Sequence, residues 1–428
     1  MNKKIISILF LLLLTLGALY GYQLMKTDYK NYWVLGTGNA GMIEVFDASK
    51  ENNEIMKTIS SNYKYVHTVR VGDIYSDNTP YIIAGVSNSF FAEPYGCNVT
   101  AYNIQTGEEY LIDRVGDLRC KDLTIADVDK DGKQDIVLGT HGEGFINIYE
   151  WSGDMWVKET IERNYIKKID EKEKTNHRVP QEKLTCGNCI VQTAVHIVKV
   201  VDIEGDGYNE IIATLSSPLE LTTTDEVSFI LLFRQSGEGW TSEVIDQASN
   251  IEFRSIEFAD IYNNSKNVLV VGTGSPRNEK GSVFSYELVD GTWNKKVLYN
   301  DPEEKNMKGI TVADLYKNGK NIIVIGTGFP KAHIFTLEWN GATFERKNIA
   351  SIGSLFDGAG EFNTMATIVL NRRDPTIITA GMRVFPDEKI GWEATEKGFV
   401  VEHVYKDGAW KQKIISTKSV LGMDIQNN

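Results

Sequence analysis

The chain has 428 residues, a net charge of −13, 42% hydrophobic and 24% charged residues. That composition suits a large buried core and sets aside a disordered or collagen-like polymer. The acidic balance sets aside general affinity for nucleic acid, so no nucleic-acid partner is expected.

Lys3 and Lys4 precede an apolar run from Ile5 to Tyr22. A positive start followed by such a run marks export, and its length approaches that of a bilayer-spanning helix. No Ala-x-Ala cleavage site follows, and Gly17–Gly21 is a poor substitute. Residues 1–22 therefore read as one hydrophobic helix, a signal anchor with its positive end in the cytoplasm. A cleaved signal peptide is the alternative. Residues 23–32 are a linker.

From residue 33 to 426 one frame recurs: an apolar strand ending at Asp, a turn, a second apolar strand ending near Gly-Thr, a loop, then two more strands. Its Asp, taken as each unit's origin, falls at Asp73, Asp127, Asp202, Asp260 and Asp314, with Val369 and Asp424 in the same place further on. Twelve residues after the origin stand Gly85, Gly139, Gly272, Gly326 and Gly381, with Thr214 in the Asp202 unit. Origins lie 54 to 58 residues apart, except for the 75 between Asp127 and Asp202. That longer interval holds a charged insertion, residues 159–193, carrying Cys186 and Cys189.

A period of this length with four short strands is that of a propeller blade. Trp33–Gly38 through Ile55–Ile59 supplies strands two to four of a unit without a first. Ser419–Asp424 supplies a first strand with nothing after it. The fold class follows: all-β, a seven-bladed β-propeller of four-stranded blades, closed by pairing the N- and C-terminal strands so that no sheet edge stays open.

Two of the turns carry metal chemistry. In Asp127–Asp135 the acids Asp127, Asp129, Asp131 and Asp135 alternate around Gly132, with the backbone carbonyl of Lys133 as a further oxygen. Hard oxygens on a flexible loop suit Ca²⁺. A second copy places Asp202, Glu204, Asp206 and Glu210 at the same offsets, with Tyr208 in the backbone-carbonyl position. The turns at Asp73, Asp260 and Asp314 keep too few acids, and no metal is expected there.

These repeats resemble the FG-GAP/VCBS family, which includes the propeller of integrin α-subunits and many bacterial and archaeal surface proteins. The resemblance covers about residues 33–426. It implies Ca²⁺ as cofactor, bound between strands one and two in the two acidic turns. It implies no single function, since the family runs from adhesion to carbohydrate-active enzymes.

First strands of propeller blades line the central channel. Six positions before each origin stand His67, Lys121, His196, Arg254, Lys308, Asn363 and Lys418. A ring of cations in an acidic protein gathers anions. The expected partner is an anionic glycan or protein ligand at this mouth, joined by strand-two-to-three loops that include Asn88–Phe91, His141, Ser275–Asn278, Phe329–Lys331 and Arg383–Phe385. Surface recognition or adhesion is the leading function. A lyase or dehydratase using His67, His196 or His141 with Glu257 is the alternative, and a partner-binding scaffold the third. Entry of the linker at strand two would hold the mouth away from the membrane.

Cys97, Cys120, Cys186 and Cys189 fit an oxidising compartment. Cys97–Cys120 with Cys186–Cys189 is the first choice of pairing; a four-cysteine zinc site is the alternative. Asn98 and Asn263 open glycosylation tripeptides.

Overall fold

The computed structural model describes residues 32–88, 96–162, 193–216, 227–237, 239–249, 251–274, 280–356, 360–384 and 397–425. Among these the chain is all-β, with one short 3-10 turn, Ile352–Phe356, and no α-helix. The expected N-terminal helix and the Cys186–Cys189 pair lie outside the described residues. No helix among them is long and apolar enough to cross a membrane.

The strands form antiparallel four-stranded units in chain order, a propeller-like arrangement. The Asp73 unit runs Tyr65–Gly72, Tyr81–Ser87, Asn98–Asn103, Glu109–Arg114, and the Asp127 unit Arg119–Ala126, Asp135–Gly142, Ile146–Trp151, Trp156–Glu162. The Asp202 unit is Thr193–Val201, Glu210–Ser216, Val227–Ser236, Gly239–Ser249. Its first strand also pairs with the preceding unit through Thr193 opposite Gly142 and Ala194 opposite His141. The Asp260 unit comprises Glu252–Ala259, Val268–Gly274, Lys280–Val289 and Thr292–Lys305, the Asp314 unit Gly309–Ala313, Ile322–Gly326, His333–Trp339 and Phe344–Ser351. The Val369 unit has Glu361–Leu370, Thr376–Val384, Lys397–Lys406 and Ala409–Lys418.

A terminal unit joins the two ends of the chain. Val420–Ile425 pairs with Tyr32–Thr37, Trp33 opposite Ile425 and Leu35 opposite Met423, and Met42–Asp47 and Ile55–Ser60 follow. The insertion begins later than its sequence reading, because Glu159–Glu162 still belongs to a strand; residues 163–192 lie outside the described residues.

Burial grades outward. Second strands such as Tyr81–Ser87, Glu210–Ser216 and Val268–Gly274 are buried at every residue, because neighbouring units cover both faces. Fourth strands mix half-buried and exposed positions, with none fully buried in Glu109–Arg114 or Ala409–Lys418. Each unit's first strand packs on that of the next, from Tyr65–Gly72 through the first strands of the Asp127, Asp202, Asp260, Asp314 and Val369 units to Val420–Ile425, which packs back on Tyr65–Gly72.

The recurring glycine explains how closely the units approach. A Cβ on Gly139 would stand 2.5 Å from Val195 Cγ1 of the next unit, one on Gly85 2.5 Å from Cys120 Cβ, and one on Gly326 2.5 Å from Thr364 Cγ2. A disulfide, Cys97–Cys120, with Cα atoms 5.2 Å apart, ties the Asp73 and Asp127 units as expected. Another tie is polar and buried. Arg372 donates to Glu402 Oε1 (2.6 Å), Asn53 Oδ1 (2.6 Å) and Ala48 O (2.9 Å), joining the Val369 and terminal units. Removing one partner of such a network costs about 3–5 kcal/mol. Asn98 is 6% exposed, on a strand between two partners, so its tripeptide is not presented for glycosylation. Asn263 is exposed.

Gly139→Ala is expected to destabilise the protein by about 1–3 kcal/mol through overpacking. Combined with Val195→Ala, the total loss should fall short of the sum of the two single losses. Urea unfolding of the two single variants and the double checks it: a double variant less stable by the full sum would refute the contact.

Candidate functional site

Both acidic turns are folded by their own carboxylates. In the first, Gly132 N donates to Asp127 Oδ2 (3.0 Å) and Val128 N to Asp135 Oδ2 (2.9 Å). Carboxylate oxygens of Asp127, Asp129 and Asp135 all lie within 4.8 Å of one another. Asp127 Oδ1 is buried with no hydrogen-bond partner among the described residues. Burial pushes the Asp135 carboxyl up to about 7, with Asp129, Glu150 and Asp131 adding to the rise against the Val128 amide. A divalent cation fits this donor set: it would pair the orphaned oxygen and offset the crowded negative charge. Asp131 stands apart from the trio. It takes Lys133 Nζ at 2.7 Å and Lys133 N at 2.8 Å, which hold its carboxyl below the usual carboxylate range.

The second turn is differently committed. Asp202 accepts from Gly205, Asp206 and Gly207 amides, and Glu210 from Ile203 N at 2.9 Å. Burial raises the Glu210 carboxyl, and the neighbouring acids add to it. Glu204, however, turns to Arg234, whose Nε donates to it at 2.9 Å. Asp206 accepts from Tyr208 N at 2.8 Å. The exposed Tyr208 ring carries Lys130 Nζ of the first turn at 3.6 Å from its centroid.

The other three turns have exchanged acid for aromatic packing. Asp73, Asp260 and Asp314 each accept two backbone amides of their own turn. Two residues on, where Asp129 and Glu204 stand in the acidic turns, are Tyr75, Tyr262 and Tyr316. Each leans on aromatics of the next unit: Tyr75 on Trp151 (4.9 Å), Tyr262 on Trp339 (5.1 Å) and Tyr316 on Tyr405 (6.1 Å). A second repeated tie sits seven residues after an origin. Gln134 Oε1 accepts from Asp73 N (2.7 Å), while Asn209 and Asn321 donate to the carbonyls of Asp127 (2.7 Å) and Asp260 (3.1 Å).

At the other end of the first strands lies a cavity of about 140 Å³. His67, Lys121, His196, Arg254 and Lys308 all line it. The remaining two members of the sequence ring stand elsewhere. Lys418 ends the fourth strand of the Val369 unit and pairs with Glu44, a carboxylate 2% exposed that holds it off the axis. Asn363 accepts from Asn306 Nδ2 at 2.7 Å.

Arg70, Arg119 and Asp122 join the lining and were missed in the sequence, because they lie off the counted position. The lining thus holds five cations, Arg70, Arg119, Lys121, Arg254 and Lys308, against one carboxylate, Asp122. Arg70 Nη2 lies 2.9 Å from Asp122 Oδ1, and Arg254 pairs with the fully buried Glu252. Arg70 also lines a second cavity of about 730 Å³ toward the acidic turns, with Asp73, Lys133, Lys199 and Asp424.

The two histidines are matched. His67 Nε2 lies 2.8 Å from Ser87 Oγ, and His196 Nε2 2.7 Å from Ser216 Oγ. His196 Nδ1 faces Arg254 Nη1 at 3.4 Å. Burial lowers both imidazoles well below the usual range. Arg119 and Lys121 push His67 further down, and Arg254, Lys121, His141 and Lys308 do the same to His196. Both rings are neutral at neutral pH. Glu257, the expected acid partner, is bound to Lys199 instead, and the carboxylate beside His196 is Glu252, with Oε2 3.9 Å from Nε2. His141 Nδ1 accepts from Arg119 Nε at 3.1 Å. Residues 89–91, 275–278 and 385 of the expected loops lie outside the described residues.

No family model matches the sequence, and no curated protein matches it. Solved structures do match in fold. A putative 6-phosphogluconolactonase from Bacteroides fragilis superposes with a TM-score of 0.54 at 12% identity, covering 93% of this chain and 98% of that one. A hypothetical selenium-binding protein from Sulfolobus tokodaii gives 0.54 at 11% identity over 94% and 96%. A protein from Lactobacillus plantarum gives 0.55 at 8% identity over 92% and 98%. At these identities the likeness is one of fold alone.

Because the folded imidazoles of His67 and His196 are depressed, their contribution is complete above the unfolded value near 6.5 and is lost as pH falls below it. Each should remove about 1.4 kcal/mol at one pH unit below that value. Urea unfolding at pH 7.5 and 5.5 is expected to show a smaller acid loss in His67→Gln/His196→Gln than in the parent. Equal losses would refute the assignment.

Proposed function

We propose that this chain is an exported, membrane-anchored, seven-bladed propeller of the FG-GAP/VCBS kind, stiffened by Ca²⁺, that recognises an anionic ligand at the basic end of its axis. The observation that carries the recognition role is the cavity at that end. Five cations face it against one carboxylate, from the first strands of the Asp73, Asp127 and Asp260 units and the residue just before that of the Asp314 unit, in a protein of net charge −13. A concave, partly desolvated site of one sign concentrates counter-charge. The seven-bladed, closed reading is supported by the cyclic order of inner-strand contacts and by the pairing of Val420–Ile425 with Tyr32–Thr37. Membership of the repeat family is supported by the acidic turns and their period.

Binding is favoured over catalysis by the histidines. Both nitrogens of His196 face protein partners, Ser216 and Arg254, and its imidazole is held neutral. A general base needs a nitrogen directed at the substrate proton. Orientation supports a surface role. Trp33 pairs with Ile425, so the chain enters at the acidic-turn end. An anchor at residues 1–22 would leave the basic cavity at the far end, facing outward.

Ca²⁺ is assigned first to the Asp127 turn, through Asp127, Asp129 and Asp135 with backbone oxygen from Lys133. The Asp202 turn is the weaker site, because Glu204 is engaged by Arg234. Excess Ca²⁺ over chelator should raise stability by about 2.7 kcal/mol when free Ca²⁺ is a hundred times its dissociation constant. Asp129→Asn should abolish that increment without lowering stability in chelator. An increment unchanged in the variant would remove the ion from this turn.

The recognition role is tested by calorimetric titration of the full-length protein with a panel of anions (a small apolar carboxylate, oligogalacturonate and inorganic phosphate) at two ionic strengths. Lys121→Met/Lys308→Met is expected to weaken binding at least tenfold and flatten its salt dependence. Unchanged affinity would place the anion elsewhere; absence of anion binding in the parent would overturn the role.

A further inference from the structure

The lining of the 140 Å³ cavity is divided in two. One arc, from the first strands of the Asp73 through Asp314 units, carries the cations and the two neutral imidazoles. The other arc, from the Val369 and terminal units, is apolar: Met365, Ala366, Leu421 and Met423. Met365, Ala366 and Leu421 are only partly buried and line the space, so they present surface to it. Lys308 Nζ lies 3.2 Å from Met365 Sδ, where the two arcs meet.

We propose that the ligand recognised at this end is a compact amphipathic organic acid, a carboxylate on an apolar body of about six or seven carbons, rather than a hydrated sugar acid. The inference rests on the anion-recognition reading above and names the chemical class of its ligand. Size is the first argument. A cavity of about 150 Å³ is one that benzene fills, whereas sites for larger ligands start near 300 Å³. An oligosaccharide enters such a space with at most one unit.

Polarity is the second argument. A uronic acid would lay hydroxyls against Leu421 and Met365, which offer them no hydrogen-bond acceptor or donor of comparable strength, and burying a polar group unpaired is costly. A bare phosphate would leave the apolar arc unused. An organic acid satisfies both arcs: its carboxylate faces Lys121, Arg254 and Lys308, and its body removes the apolar arc from water. The neutral state of His67 and His196 suits the same ligand, because their rings then add apolar faces without further charge.

The test is calorimetric titration of the full-length protein in lipid nanodiscs, with empty nanodiscs as the control, using benzoate, acetate, galacturonate and inorganic phosphate. Benzoate is expected to bind at least tenfold more tightly than the other three, and to shift the imidazole NMR signals of His67 and His196. Leu421→Asn should weaken benzoate about tenfold and leave phosphate unchanged, while Lys308→Met should weaken every anion. Met365→Gln is the second variant, used if Leu421→Asn lowers the melting temperature.

Galacturonate or phosphate binding as tightly as benzoate would overturn the ligand class and leave the anion-recognition reading standing. Binding of none of the four would overturn both. Benzoate binding with unmoved histidine signals, or unaffected by both apolar variants, would place it outside the cavity and overturn the inference.

Discussion

Everything near the axis depends on how closely adjacent units approach. The limit is set where a second-strand glycine meets the first strand of the following unit. Gly139 against Val195, Gly85 against Cys120, Gly326 against Thr364 and Gly36 against Val66 all leave no room for a Cβ. A side chain at these positions would push neighbouring first strands apart. Because they are not pushed apart, side chains six residues before successive origins meet around a space of only about 140 Å³. The site is a by-product of backbone contact, and its size follows from residues that do not touch it.

Charge within the axis is arranged in tiers. In the middle, Arg70 meets Asp122, and Lys199 meets Glu257. Burial works against the Arg70 charge, and Asp122, Asp424 and Glu257 outweigh it. Near the acidic turns the lining is mixed, Asp73 and Asp424 with Arg70, Lys133 and Lys199. The excess of cations is larger at the far end, where five stand against one carboxylate. Paired charges do little at a distance; an unbalanced tier projects a field. A protein whose net charge repels anions would thus admit them at one end.

Much of this was legible in the sequence because it repeats. The origins, the strand order, the pairing of the two chain ends and the convergence of His67, Lys121, His196, Arg254 and Lys308 all follow from counting at a fixed frame. Less legible were positions where a local partner competes with the frame. Lys418 is drawn to buried Glu44, and Glu204 to Arg234. Asp131 folds onto Lys133. The ties made by Tyr75, Tyr262 and Tyr316, and by Gln134, Asn209 and Asn321, repeat too, at two and seven residues after the origin. Neither residue type announces a contact by itself, since the partners belong to a neighbouring unit. The turns that looked like decayed ion sites are therefore better read as exchanged ones, in which aromatic packing holds units together. Single aromatic pairs of this kind contribute about 0.5–1.5 kcal/mol.

The terminal unit shows how fold and site are coupled. Its first strand, Val420–Ile425, is the last described segment of the chain, and it supplies Leu421 and Met423 to the cavity. Met423 reaches that position because Leu35, from the first described strand, pairs opposite it. Arg372, Glu402 and Asn53 then fasten the terminal unit to its neighbour through a buried polar network. Pairing of the first and last described strands closes the longest loop in the fold, which favours its forming late. If that seam opens, the cationic arc survives on its own strands but loses the apolar wall opposite it. A ligand that bridges both arcs would bind only the joined form, and by mass action would stabilise the seam in proportion to its occupancy. A simple anion touching the cations alone would stabilise it far less, so the chemistry of the ligand and the integrity of the seam are two readings of one equilibrium.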